Sequence, residues 1–373
     1  MKEQDPFPGI GLLFFVYPEN EIPRRCNPMK KHMSALAVLM ASAVCFSACH
    51  ANTKKNEEKK LKIVTTIFPE YDWVMNILGD KKDNADVTML LDNGVDLHSY
   101  QPTADDIVKI KSCDMFIYVG GESDEWVEDV LETADNKDMV VVNLLEELGD
   151  QVKEEELVEG MQGEEHDHEH EHEEDHDEEH EHEEEHDHEE EEEDTEYDEH
   201  VWLSLKNASI LVEKISSKLQ TIDAANADAY EKNGKAYIEK LQALDKEYEK
   251  AVSEGSVKTL LFGDRFPFRY LVDDYGLSYY AAFIGCSAET EASFETIAFL
   301  SEKTDELHLH TILVIEGSDQ KIAKTIIENT SSKDQQILVM DSMQSVTSKD
   351  VEGGKDYYSI MEKNLEVLKE AVK

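Results

Sequence analysis

The stretch "DAANADAYEKNGKAYIEKLQALDKEYEKAV", Asp223 to Val252, decides the architecture. Tyr230, Ala236, Tyr237, Leu241, Leu244, Tyr248 and Val252 recur at helical spacing, and Asp223 or Asn226 stands where a cap belongs. At 1.5 Å per residue such a helix spans roughly 40 Å, enough to run along two lobes. A continuous helix between lobes is stiff, so wide hinge closure is not expected. The helix is taken as a linker over residues 223–253.

Working outward, short apolar runs alternate with helical stretches on both sides. The candidate strands before it are Leu61–Ile67, Asp86–Leu91, Met115–Gly120 and Met139–Leu144; those after it are Thr259–Phe262, Ser278–Phe283, Ile312–Glu316 and Ile337–Met340. Most are continuously apolar, as in a sheet covered on both faces. The expected fold is therefore α/β, with two lobes, each a mainly parallel four-stranded sheet with helices, over residues 61–222 and 254–373. Ser287, in "SAETEASFETIAFL", reads as the start of a capping box and an amphipathic helix. The last helix, Tyr357 to Val372, carries Tyr358, Met361, Leu365 and Leu368 on one face.

The chain of 373 residues has a formal net charge of −49. The segment Glu164–Glu199 holds 25 of the acidic residues and no lysine or arginine, so about half the excess sits in one tract. Such a protein repels nucleic acid and attracts cations. Residues 160–199 read as a disordered loop. A merely solvating run needs no histidine, yet His166, His168, His170, His172, His176, His180, His182, His186 and His188 lie in it. Imidazoles in His-Asp-His and His-Glu-His spacing suit borderline divalent ions such as zinc.

At the other end, "MKKHMSALAVLMASAVCFSAC" begins at Met29 and has a basic start, a short apolar run and small residues before Cys49. It reads as a signal peptide over residues 29–48, since the apolar run is too short to span a bilayer. Cys49 is the expected lipidation site, residues 49–60 a tether to the outer face of a bacterial cell membrane, and residues 1–28 an upstream extension. Two acyl chains would anchor stably where one would not. Of the five cysteines only Cys113 and Cys286 belong to the folded part, which is no disulfide framework.

Four places put metal-competent side chains at strand ends, where open α/β sheets bind ligands. "DNGVDLHSYQP" contains His98, "DEHVWL" contains His200, "FGDRFPFRY" contains Asp264, and "VMDSM" contains Asp341. Each has a plain alternative: a solvated turn for His98, a pair with Arg265 for Asp264, a cap for Asp341.

These residues resemble the zinc/manganese substrate-binding lipoproteins of bacterial ABC importers. "IVTTIFPEYDWVMNILGD" is similar to the family's first strand and helix, "GVDLHSYQPTADDI" to its first ligand loop, and "DEHVWL" to its Asp-Pro-His-x-Trp-Leu motif. "VMDSM" falls where the family has its C-terminal aspartate, and "DYYSIMEKNLEVLKEAV" resembles the closing helix. The resemblance implies His98, His200 and Asp341 as ligands. It departs at one slot: three residues before Phe268-Arg269-Tyr270 the family has His or Glu, and this chain has Arg265. An arginine cannot bind metal. Asp264, water or a tract histidine is left to fill the place.

The resemblance implies a monomeric extracytoplasmic protein, not an enzyme, that captures Zn²⁺ in the interlobe cleft and delivers it to a membrane permease and its ATPase. Mn²⁺ is the alternative cargo. A zinc buffer or surface adhesin is an alternative role. A zinc hydrolase would need a base beside the metal, for which Glu316 and Glu70 are the candidates.

Overall fold

The computed structural model describes residues 60–162, 196–287 and 291–373. The leader, Cys49, the tether and all nine tract histidines lie outside these.

All eight strands form, with ends shifted by a few residues: β1 Leu61–Thr65, β2 Ala85–Met89, β3 Met115–Tyr118, β4 Val140–Asn143, β5 Thr259–Phe266, β6 Ser278–Ile284, β7 Thr311–Ile315 and β8 Gln336–Met340. The helices are α1 Phe68–Leu78, α2 Ala104–Ser112, α3 Trp126–Glu132, α4 Leu144–Leu148, α5 Leu205–Ile222, α6 Ala227–Glu254, α7 Arg269–Tyr275, α8 Phe294–Glu306, α9 Lys321–Asn329, α10 Ser348–Glu352 and α11 Tyr357–Ala371. Every pairing between strands is parallel. The sheets run β2-β1-β3-β4 and β6-β5-β7-β8, so the second repeats the order of the first. The five residues of β7 are all buried, which explains their unbroken apolar run.

The spine is α6. Its 28 residues bury Tyr230, Gly234, Tyr237, Leu241, Leu244, Tyr248, Ala251 and Val252. Ala236 is exposed, contrary to the spacing argument, and Gly234 takes the inner position because a side chain there would meet Ser216 Oγ of α5 at 2.8 Å. Asp223 does not cap the helix; it accepts bonds from Asn226 Nδ2 at 2.8 Å and Tyr230 OH at 2.6 Å. Along α6, Tyr237 OH donates to Asp72 of α1 and Tyr248 OH to the Met361 carbonyl of α11. One helix is thus bonded to elements of both lobes. The inner face of α11 starts one residue earlier than expected. Tyr357 is fully buried, packs edge-on against Trp73 at 5.4 Å, and donates to the Trp202 carbonyl.

Two further boundaries differ from the sequence reading. Ser287 does not cap α8; Ser293 does, accepting from Thr296 N at 3.0 Å. Residues 285–287 are instead drawn into the cleft as a turn after β6, with Ser287 buried. The ends of the acidic segment are also ordered. A strap of residues 152–162 leaves lobe one, and Gln162 pairs with Phe283 at the free edge of β6, its N–H donating to the Ala282 carbonyl at 2.9 Å. Glu154 and Tyr197 form an antiparallel bridge that closes the root of the segment.

Glu70, in the first turn of α1, is fully buried and accepts from the N–H groups of Thr66 and Ile67. Burial first, then the nearby Asp124 carboxyl, pushes its pKa up to about 8. The unfolded chain releases this proton near the ordinary 4.5, whereas the folded chain keeps it, so folding loses stability as pH rises from about 4.5 to 8. Calorimetric melting of metal-free protein is expected to show a lower Tm at pH 8 than at pH 5. In Glu70→Gln that drop should be smaller; an equal drop in the variant would show that Glu70 does not carry it.

Candidate metal centre

The site is built from loops at the carboxyl ends of the strands, where an open parallel sheet leaves its crevice. His98 follows β2 in a short 3₁₀ turn, Leu97–Ser99, which Asp96 caps by accepting the His98 N–H at 3.1 Å. His200 begins a second such turn, Val201–Leu203, and its N–H donates to Asp198 Oδ1 at 2.8 Å. The two imidazoles come from residues 102 positions apart, and their Nε2 atoms face each other at 3.1 Å. Two nitrogens on one tetrahedral zinc, with Zn–N about 2.0–2.1 Å, lie about 3.3 Å apart. The pair therefore already has nearly the spacing an ion requires.

Second partners set the tautomers. His200 Nδ1 is 3.0 Å from Asp198 Oδ1, so the proton belongs on Nδ1 and the lone pair on Nε2. His98 Nδ1 is 2.8 Å from Ser123 Oγ and 3.4 Å from Glu199 Oε2. Glu199 is nearly fully buried and its Oε1 accepts the Ser123 N–H at 2.8 Å. Gly121, at φ +82°, makes room for it: a side chain there would stand 2.4 Å from Glu199 Oε1. Burial alone would lower the pKa of His200, yet the Asp198, Glu199 and Asp96 carboxylates outweigh it and raise it. Burial likewise raises Glu199, but the contact with His98 prevails and holds it below the usual carboxylate range.

The third member of the group is Cys286. Its sulfur and one nitrogen from each of His98 and His200 lie within 4.8 Å of one another, the one such cluster among the described residues. Neither Asp264 nor Asp341 joins it, and the physical reasons are local. Asp264 Oδ1 accepts the next residue's N–H at 2.9 Å, and its buried Oδ2 has no partner among the described residues. Asp264 lines a 470 Å³ cleft beside the site with Asp96, Arg265, Glu316 and Gln344. Asp341 Oδ1 accepts Met343 N–H at 2.9 Å, shaping the turn after β8, and Oδ2 is 4.0 Å from Lys355 Nζ. Arg265 does not pair with Asp264. Its guanidinium crosses to lobe one, donating to Asp96 Oδ2 at 2.8 Å and to the Ser287 carbonyl at 3.4 Å. It thereby ties the loop of His98 to the turn of Cys286. Cys113, the other thiol, is buried against Met139 and plays no part; both cysteines are free.

The family model "ZnuA: Zinc-uptake complex component A periplasmic" matches residues 63–371. The zinc-binding lipoprotein AdcA of Streptococcus pneumoniae serotype 4 is 33% identical over 338 residues, covering 91% of this chain and 61% of AdcA. This chain thus spans about three fifths of that relative's length. The high-affinity zinc uptake system protein ZnuA of Bacillus subtilis is 30% identical, covering 92% of this chain and 99% of its own. The crystal structure of the Zn(II)-bound ZnuA-like domain of Streptococcus pneumoniae AdcA superposes with a TM-score of 0.62 at 30% identity, over 84% of this chain and 99% of that domain. With the match spanning both lobes and the two imidazoles meeting at its cleft, the chain belongs to the ZnuA family of periplasmic zinc-uptake components.

Proposed function

We propose that this protein captures Zn²⁺ in the cleft between its lobes and hands it to a membrane permease coupled to an ATPase. The observation that carries this reading is the facing pair of Nε2 atoms, 3.1 Å apart, with His200 Nδ1 held by the buried Asp198 and His98 Nδ1 by Ser123. Rings oriented in advance remove part of the ordering cost of binding an ion. Relatives named for zinc binding and zinc uptake support the same cargo. A carrier rather than a hydrolase is supported by the candidate bases. Glu316 is committed to Ser342 and to the Gln344 N–H, and Glu70 to Thr66 and Ile67. Lipid on Cys49 would hold the protein at the membrane, and the histidine-rich tract would collect ions for the cleft.

The test is a calorimetric titration of zinc and manganese into residues 50–373, with and without Glu164–Asp194. One tight zinc site is expected to survive the deletion, while several weaker ones vanish. If tight binding disappears with the tract, the cleft is not the capture site.

A further inference from the structure

The sequence places an arginine where the family resemblance puts a third donor, and in the structure Cys286 lies within 4.8 Å of both imidazoles. We propose that the centre is a two-imidazole, one-thiolate, one-carboxylate site, in which Cys286 from lobe two replaces the third imidazole and Glu155 from the strap supplies the fourth donor. The proposal rests on the zinc-capture reading above and deepens it.

The first support is position. In lobe one the His98 loop follows β2, the strand outside β1. In lobe two the Cys286 turn follows β6, which has the same place outside β5. Equivalent points of two like-ordered sheets thus face each other across the cleft. Gly285 brings the turn close: a Cβ there would lie 2.9 Å from His200 Cε1 and 3.0 Å from the Phe266 carbonyl oxygen. Any side chain at 285 would push Cys286 away from the imidazoles. Arg265, bonded to both Asp96 and Ser287, holds the two loops in register. The residue in the lost ligand's slot has become a positioning residue for its substitute.

The second support is Glu155. Its carboxylate lies near Cys286, outside the three-residue group itself, and its Oε1 is buried with no partner among the described residues. The strap that carries it is fixed on both sides. Glu155 N–H donates to the Glu196 carbonyl at 2.9 Å and Asp198 N–H to the Lys153 carbonyl at 2.9 Å. Lys153 reaches lobe two through the Tyr270 hydroxyl at 3.1 Å and Asp273 at 2.8 Å. Glu155 is therefore bonded into the same short ladder that leads to Asp198 and His200.

The third support is charge. Two neutral imidazoles, a thiolate and a carboxylate cancel the charge of a divalent ion, which favours a site partly shielded from water. On binding, the sulfur–metal bond forms and the thiol proton leaves to solvent, with no change of oxidation state. Sulfur and nitrogen donors suit zinc, whereas manganese prefers oxygen, so Cys286 would also set the preference for zinc.

Cobalt(II) spectroscopy on residues 50–373 lacking Glu164–Asp194, which keeps Glu196 and its bond to the strap, tests this. One bound Co²⁺ should give a thiolate-to-cobalt charge-transfer band in the near ultraviolet and intense visible bands of four-coordinate geometry. Cys286→Ser should lose the charge-transfer band, bind zinc more than about 100-fold more weakly, beyond the loss of a supporting partner, and discriminate less against manganese. Glu155→Gln should keep the charge-transfer band, change the visible bands and weaken zinc by at least about 10-fold. Melting of each variant in chelator, matched to the parent, verifies folding. A parent that binds zinc tightly without a thiolate band, or a Cys286→Ser protein with unchanged zinc affinity, overturns the thiolate assignment. Unchanged visible bands and affinity in Glu155→Gln overturn the carboxylate. A parent with no tight zinc site overturns the capture reading itself.

Discussion

Replacing His200 by alanine is expected to abolish tight zinc binding, lowering affinity by more than about 100-fold, a loss larger than that from removing only a partner of a ligand. The imidazole is fully buried, so no water-exposed side chain can swing in to replace it. Its neighbours would also suffer. Asp198 would lose its imidazole partner, and the His98 Nε2 would face a cavity instead of a second donor. The measurement is zinc titration against a competing chelator, in protein lacking Glu164–Asp194, so that tract imidazoles cannot mask the loss. His98→Ala should behave alike. Affinity within about 3-fold of the parent in either variant would mean that the facing imidazoles do not hold the ion.

Replacing Trp202 by alanine should give the largest loss of stability, about 3–5 kcal/mol from the cavity alone. The indole is 1% exposed and packs beside His200, with ring centroids 5.2 Å apart. Its Nε1–H donates to the Ser342 carbonyl at 2.9 Å, so it joins the turn of His200 to the turn after β8 in lobe two. Truncation leaves that carbonyl without its donor, adding about 1–3 kcal/mol. Melting in chelator should fall on the order of 10 °C. Trp202→Phe keeps most of the volume and loses the hydrogen bond, so its drop should be under half as large. Equal drops would assign the stability to the bond and not to the packing.

Much of this fold could be read from the chain because its signals are repeated and local. Eight apolar runs each give a strand, since a sheet with helices on both faces demands such runs. That His98 and His200 would meet could be suspected from the chain, because each sits in a motif where an aspartate two residues earlier, Asp96 or Asp198, accepts its N–H. Cys286 carried no such signal. It is one cysteine after one strand, and its meaning comes from the close approach that Gly285 permits across the cleft. Glu155 was hidden among acidic neighbours of the same type. Ser287 offered a capping pattern as good as that of Ser293. Tertiary contacts chose between them by drawing residues 285–287 toward the centre. Asp341 shows the ambiguity of a strand-end aspartate, which here lies outside the three-residue group and shapes the turn after β8.

The spine limits how far the two lobes can separate. Tyr237 and Tyr248 fasten α6 to helices of both lobes, and α11 returns across the junction to clasp Trp202. Swinging the lobes wide apart would strip buried aromatic rings from one another, a slow event in a close-packed interior. The lighter element is the strap, whose hold on lobe two runs through a few exchangeable bonds at Lys153, Glu156 and Gln162. The strap is thus the element across the cleft that can peel away with the least disturbance of the core.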